Sequence, residues 1–332
     1  MFDHYKVIRR VMTSIVLLAA TGAAASENNW TVPGDELRVS TPCAKSVTIE
    51  PSASLKSKVE VVARADHQQE IDNLSISGGG SALITRASDS CWLPGPNVQI
   101  GGVHLGLSEE PTLQLTVRVP QNVAIAVKEG GSADYRIGDV GGSLRLELNG
   151  SGSVDAASAK ELNLTISGSG DAHIDQVVGH IEGKISGSGN LRVGKAAVPS
   201  TNMTISGSGD SEIDQGEIGT VTVTLHGSGK FTGPAAGDVK VESSGSADFS
   251  LQSVKAASAS VKVSGNGDVE LGEGAIGSLL VASTGSANVR VRAVAANADL
   301  SVRGSGDIEV RKVTGTLSRS EHGSGRITIA EK

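Results

Sequence analysis

The chain has 332 residues and a formal net charge of −7 at pH 7. Glycine is abundant at 43 residues, and aromatic residues make up 2%, so the hydrophobic 38% is almost all aliphatic. A negative chain without clustered Lys and Arg excludes nucleic acid as a partner, and this balance of charged and hydrophobic residues belongs to a folded chain, not a disordered one.

The N-terminus reads as a targeting segment. Lys6, Arg9 and Arg10 precede an apolar run from Val11 to Ala25, and Ala23-Ala24-Ala25 fits a small-residue cleavage site before Ser26. This pattern predicts a secretory signal peptide over residues 1–25. The run is shorter than the roughly 20 residues that span a bilayer, and no later segment is long and apolar enough, so no transmembrane segment is expected after cleavage. No cysteine stands at the cleavage site to take a lipid.

Residues 26–120 carry no regular repeat, yet strand-like runs continue at Val59–Val62, Leu74–Ile76 and Leu113–Val117, and Gly78–Ser81 reads as an irregular extra corner. A solenoid must cover its exposed first rung, so this region is expected to be an N-terminal β cap with partial rungs. It holds both cysteines of the chain, Cys43 and Cys91. In an oxidising compartment they are expected to form a structural disulfide, contributing about 4 kcal/mol in the chain-entropy model. The alternative is two buried thiols. Two cysteines without further ligands do not make a zinc site.

From residue 121 to 332 a Gly-Ser-Gly-Asp motif recurs. Its first glycines are Gly131, Gly150, Gly168, Gly187, Gly207, Gly227, Gly245, Gly265, Gly285, Gly304 and Gly323, spaced by 18 to 20 residues. A fixed period near 19 over eleven copies marks a solenoid. Apolar residues alternate with polar ones before each glycine (Leu144, Leu146, Leu148) and after it (Val269, Leu271), which is the pattern of half-buried strands. The expected fold is all-β: a single-stranded, right-handed parallel β-helix with about 19 residues per coil. Its narrow interior suits stacked aliphatics, with most aromatics too large. The corner glycines are expected because they reach φ > 0 without steric cost. The serines between the small residues, Ser132, Ser151, Ser169, Ser188, Ser208, Ser228, Ser246, Ser286, Ser305 and Ser324, line up as a hydroxyl ladder from rung to rung, with Asn266 the exception. At the far end Arg319 and Glu321 fall at inward positions, where charge blunts a terminal rung against end-to-end pairing.

Candidate chemistry gives way to structure at each point. The residue after the corner is Asp in six repeats, but neutral or basic residues interleave with it, and the order reads as turn-forming Asp instead of a calcium ladder. Outward residues on the following strand (Arg136, Asp155, His173, Arg192, Glu212) alternate in sign, as in a solvated face with cross-rung ion pairs. No repeat is long enough to insert the loops that build an enzymatic cleft. The histidines have no ligand spacing, and His226 and His322 lie five rungs apart. No catalytic, metal or cofactor-binding residue is assigned, and no cofactor is expected.

Val117-Arg118-Val119-Pro120, the strand Val123–Val127, the corner Gly131–Asp134, and the segments Ser167–Asp171, Ser206–Asp210 and Gly304–Ile308 together resemble a known family, the auto-transporter adhesin head called the GIN domain. The resemblance covers about residues 35 to 329. It implies an exported parallel β-helix with no catalytic residues to carry over. One departure is that the C-terminal membrane barrel of an autotransporter does not follow the last corner before Lys332.

These readings lead to an exported, non-enzymatic module of the cell envelope, periplasmic or at the cell surface. It is adhesin-like or a scaffold, and its lateral faces bind glycan or an envelope protein. Two alternatives stay open: a periplasmic polysaccharide lyase or hydrolase on a β-helix, and a purely structural envelope protein.

Overall fold

The computed structural model describes residues 25–40, 43–86, 93–100 and 103–331, and only the backbone of 93–100 and 103–109. The predicted leader therefore lies outside the described residues apart from its last position, and so does Cys91.

Ten strands and one short helix precede the first regular corner. They are β1 (Ser26–Pro33), β2 (Glu36–Ser40), β3 (Ser46–Ser52), β4 (Lys58–Ala65), α1 (Gln68–Asp72), β5 (Leu74–Ser77), β6 (Ala82–Arg86), β7 (Leu93–Ile100), β8 (Val103–Glu109), β9 (Gln114–Pro120) and β10 (Ala124–Glu129). The column follows as β11 (Asp134–Leu148), β12 (Val154–Ile166), β13 (Ala172–Val177), β14 (His180–Ile185), β15 (Leu191–Ile205), β16 (Ser211–Leu225) and β17 (Lys230–Gly245). It continues with β18 (Asp248–Gly265), β19 (Val269–Gly285), β20 (Val289–Gly304), β21 (Ile308–Val313), β22 (Leu317–Gly323) and β23 (Ile327–Glu331).

The column is a parallel β-solenoid whose repeats stack in phase. On the face before each corner, Leu144 pairs with Leu162, Leu162 with Ile181, Ile181 with Thr201 and Thr201 with Val221. After the corner, Tyr135, Val154, Ala172, Leu191, Ser211, Phe231 and Phe249 form a second continuous stack. Rungs about 4.8 Å apart bring like positions together, and alternate residues point inward. Leu144, Leu146, Leu162, Val221 and Val223 are accordingly buried to within about 1% of full exclusion.

Rings enter this core more freely than the composition suggested. Tyr135, Phe231 and Phe249 are among its largest fully buried side chains. Phe231 and Phe249 stack with centroids 5.3 Å apart and ring planes 9° apart. Space comes from neighbouring rungs: Ser211, one rung from Phe231, is small. The accommodation leaves Ser211 Oγ buried without a hydrogen-bond partner among the described residues. Gly183 makes room in the same way for Met203, whose Sδ would lie 2.3 Å from a Cβ at position 183.

The N-terminal end departs from chain order. β2 and β3 form a rung, and its neighbours on one side are β10 and β11. On the other side lie β6 and β9, later in sequence than the rung they cover. β4 then adds antiparallel to β9, β1 antiparallel to β4, and β5 antiparallel to β6. The chain thus builds a rung, passes beneath it, and climbs past it to begin the column. The helix α1 carries buried Glu70, whose carboxylate accepts the backbone N–H of Thr112 at 2.8 Å and of Leu113 at 3.1 Å. Cys43, buried and at φ 51, is disulfide-bonded. β7 and β8 pair antiparallel as a separate two-stranded sheet.

Candidate functional site

The corners are the most regular surface feature, and the expected positive φ explains only some of their glycines, so a second cause is needed. Four of the eleven first glycines, Gly245, Gly285, Gly304 and Gly323, have φ of 115–134°. At Gly150, Gly168, Gly187, Gly207, Gly227 and Gly265 close approach to the carbonyl oxygen of the preceding corner requires glycine. A Cβ at Gly187 would lie 1.9 Å from the carbonyl oxygen of Gly168, and one at Gly207 would lie 2.0 Å from that of Gly187. Stacked corners sit too near one another for any side chain there.

The serines follow the same correction. Ser151 donates its backbone N–H to Gly131 O at 2.8 Å, Ser169 to Gly150 O at 3.0 Å, and the pattern runs on to Ser324 on Gly304 O at 2.9 Å. Rung-to-rung bonding at Ser151, Ser169, Ser188, Ser208, Ser228, Ser246, Ser286, Ser305 and Ser324 is therefore a main-chain ladder, which Ser132 in the first corner does not join. Among these hydroxyls one direct contact is formed, Ser286 to Ser305 at 3.1 Å.

A side-chain ladder does exist, two residues on. Asp171 Oδ1 accepts the backbone N–H of Asn190 at 2.7 Å, Asn190 Oδ1 that of Asp210 at 2.8 Å, and Asp210 Oδ1 that of Lys230 at 2.7 Å. It resumes from Asp248 to Asp268 at 2.9 Å, Asp268 to Asn288 at 3.0 Å, Asn288 to Asp307 at 3.2 Å and Asp307 to Arg326 at 2.9 Å. Each acceptor is Asp or Asn, because only a short side chain ending in oxygen reaches one rung along. The ladder breaks after Ser153, whose shorter side chain instead donates its hydroxyl back to Asp134 Oδ1 at 2.7 Å, and after Lys230, whose side chain has no acceptor. These aspartates therefore bond to the next rung's backbone, a role beyond forming their own turn. Among the described residues no group of three or more His, Cys, Asp or Glu is placed to hold a metal ion.

One inward ionisable residue escaped the sequence reading. Glu129, 1% exposed, follows Ile125 and Val127 on the same inward alternation. The Tyr135 hydroxyl donates to Glu129 Oε2 at 2.7 Å and the Gly131 N–H to Oε1 at 2.5 Å. Burial holds this carboxyl above the ordinary carboxylate range against those donors. Burial and then the adjacent Glu129 charge push the Tyr135 hydroxyl well above its ordinary value. The signal was present. Repeats with Ala in place of the second corner glycine (Ala133, Ala247, Ala287) carry a polar residue four positions earlier (Glu129, Ser243, Ser283). Both of those serines lie within reach of the Ala carbonyl, at 3.5 Å for Ser243 and 3.3 Å for Ser283.

The lateral faces are flat and largely charge-paired. Arg290 meets Glu309 one rung on at 3.1 Å, Arg192 meets Asp214 at 3.0 Å, and Arg292 meets Glu270 at 2.7 Å. His180 and His226 each bond a serine hydroxyl one rung on, at 2.7 Å and 2.8 Å. Among the described residues, shallow depressions include two of note. One, of 240 Å³, lies by Glu50, Ser54, Glu60 and Arg118, where Glu50 is already paired with Arg118 at 3.2 Å. The other, of 510 Å³, lies on the short third side of the coil over Ala257, Ala275, Ile276, Val294 and Ala296. Neither brings two unpaired carboxylates to one point. On the face before the corner, Asn163, Thr165, Asn202, Thr204, Thr222 and Thr224 point outward from neighbouring rungs, with Glu182 and Lys184 between them. All six lie half-buried in the sheet surface except the more exposed Asn202.

A family model described as "Putative auto-transporter adhesin, head GIN domain" matches residues 35–232 and 220–332, nearly nine-tenths of the chain. The chain belongs to this family. Among solved structures, the GIN head domain is similar to a putative adhesin from Bacteroides fragilis, at 12% identity over 92% of this chain and 97% of the other, with a TM-score of 0.33. It is also similar to a putative lipid binding protein from Parabacteroides distasonis, at 14% identity over 92% and 96%, with a TM-score of 0.31. A putative cell adhesion protein from Clostridium sporogenes is similar at 10% identity over 73% and 100%, with a TM-score of 0.24. No curated protein matches the chain. No helix among the described residues is long and apolar enough to cross a membrane.

Proposed function

We propose that this GIN head domain is exported to the cell envelope or its exterior and acts there as a non-enzymatic adhesive module, binding glycan on the flat face that precedes the corners. The observation that carries this reading is the patch of Asn163, Thr165, Asn202, Thr204, Thr222 and Thr224. It is a sheet surface of amide and hydroxyl groups held in place by the backbone ladders beneath it. Such groups both donate and accept, which suits the hydroxyls of an extended sugar chain. They are ordered before binding, so little rotamer entropy is lost on contact. Family membership supports the adhesive reading, and the six neutral side chains lie between ion pairs on the same face, Arg145 with Glu147 and Lys240 with Glu242.

The test combines a glycan array with a turnover assay. Retention of specific glycans, lost in a folded Thr204→Lys/Thr224→Lys variant and without release of reducing or unsaturated sugar ends, is the expected result. Release of such ends would replace the reading with an enzyme. Silence in both assays would leave a structural envelope protein.

A further inference from the structure

The two ends of the column are finished differently. At the N-terminal end, antiparallel β4, β1 and β5 are added beyond the parallel rungs. At the other end, among the described residues, β22 has one neighbour, β20, and β23 has one, β21, both parallel. Every residue of β22 is exposed. Leu317, at 38%, is one of three large hydrophobic side chains exposed among the described residues. Register places Leu317, Arg319 and Glu321 over Ala298, Leu300 and Val302, on the inward side of the coil. Glu321 Oε1 accepts the backbone N–H of Ile327 at 3.0 Å, which leaves its second oxygen free. The Arg319 side chain makes no ion pair or hydrogen bond among the described residues.

We propose that this rung docks against the same rung of a second copy, through antiparallel pairing of β22 with its counterpart across a two-fold axis at Ser320. The charges select this arrangement. In an antiparallel pair, opposed residues lie on the same face. Centring on Ser320 puts Arg319 opposite Glu321 of the second copy, and Glu321 opposite its Arg319. It also puts Leu317 opposite Gly323, and Ser318 opposite His322. Centring one residue either way sets Arg319 against Arg319 or Glu321 against Glu321, and like charges directly opposite are destabilising. The same two charges that block parallel stacking of repeats thus specify one antiparallel register. Pairing satisfies the backbone groups on the open side of β22 and covers Leu317. Because the interface is isologous, it closes at two copies and does not propagate into a fibre.

Sedimentation velocity on the purified chain over a range of concentrations tests this. The expected result is a monomer–dimer equilibrium. Arg319→Glu creates two like-charge pairs and weakens the dimer by about 30-fold, while Arg319→Glu/Glu321→Arg restores it, because reciprocal exchange preserves the pairing. Ser320→Lys, at a solvent-facing position, sets two ammonium groups together at the axis and also weakens the dimer. It serves where a charge reversal disturbs folding, and melting by circular dichroism reports on folding of each variant. A monomer at every concentration would overturn the proposal. So would assemblies larger than dimers, a dimer indifferent to Arg319→Glu and Ser320→Lys, or a folded double exchange that stays monomeric.

Discussion

In the column, the residue stacked on any position lies 18 to 20 places further along the chain. At the N-terminal end the neighbours are distant: Val47 lies between Leu115 and Tyr135, and Leu37 between Ala82 and Ile125. Both regions bury aliphatic side chains completely, with Val47 and Leu37 as inaccessible as Leu144. They reach that state by different routes. The column repeats one local rule, so each rung closes a short loop and rests on the one before it. The N-terminal end must bring remote segments together first, and it uses buried polar anchors such as Glu70 to fix them. The comparison shows that periodicity secures the body of a solenoid but not its end, because the last rung has no repeat beyond it to satisfy its edge.

Five substitutions would break or sharpen this contrast. Phe231→Ala removes half of the stacked ring pair in the column and is expected to cost about 4 kcal/mol in denaturant unfolding. Next comes the corner. Gly207→Ala drives a Cβ into the Gly187 carbonyl and should cost about 3 kcal/mol. Gly80→Ala in the N-terminal region, where a Cβ meets nothing within 4 Å, should leave the same transition within about 0.5 kcal/mol of wild type. Equal losses at the two glycines would show that corner stacking does not set the requirement. The aspartate ladder gives a smaller effect. Asp210→Ala removes the acceptor for the Lys230 N–H and should cost about 1 kcal/mol. Lys230→Asn supplies the missing acceptor toward Asp248 and should stabilise the chain by about a few tenths of a kcal/mol.

The smallest effect is a matter of sign. Glu129 has its carboxyl raised by burial, so the folded chain holds this proton more tightly than the unfolded chain. The site then contributes stability below the ordinary carboxylate range and loses it as pH rises through the raised native value. Urea midpoints for Glu129→Gln measured against wild type from pH 4 to 7 should therefore shift in favour of the variant as pH increases. A flat difference would mean that the Tyr135 and Gly131 donors offset desolvation, and one that runs the other way that they outweigh it.

Much of the fold was legible because the repeat is short and its chemistry is carried in plain view. The eleven corners, the inward Leu144–Leu146–Leu148 alternation and the family motifs all lie within one period of each other. The candidate site was less so. The serine row drew attention as hydroxyls, although its bonds run through backbone N–H groups, which every residue type carries. The Asp position was recognised, but its acceptor role depends on the height of one rung. Glu129 was hidden because a carboxylate at an inward position reads as an error until Tyr135 and the corner amides are seen around it.

The amino-acid sequence by itself determined the coil: period, inward positions and corner sites are local properties, repeated until chance is excluded. Tertiary structure alone decided how the first rung is covered, where a ring is tolerated, and what the corner groups bond to. Those outcomes depend on which segments meet across the axis, and remote contacts leave no periodic trace along the chain.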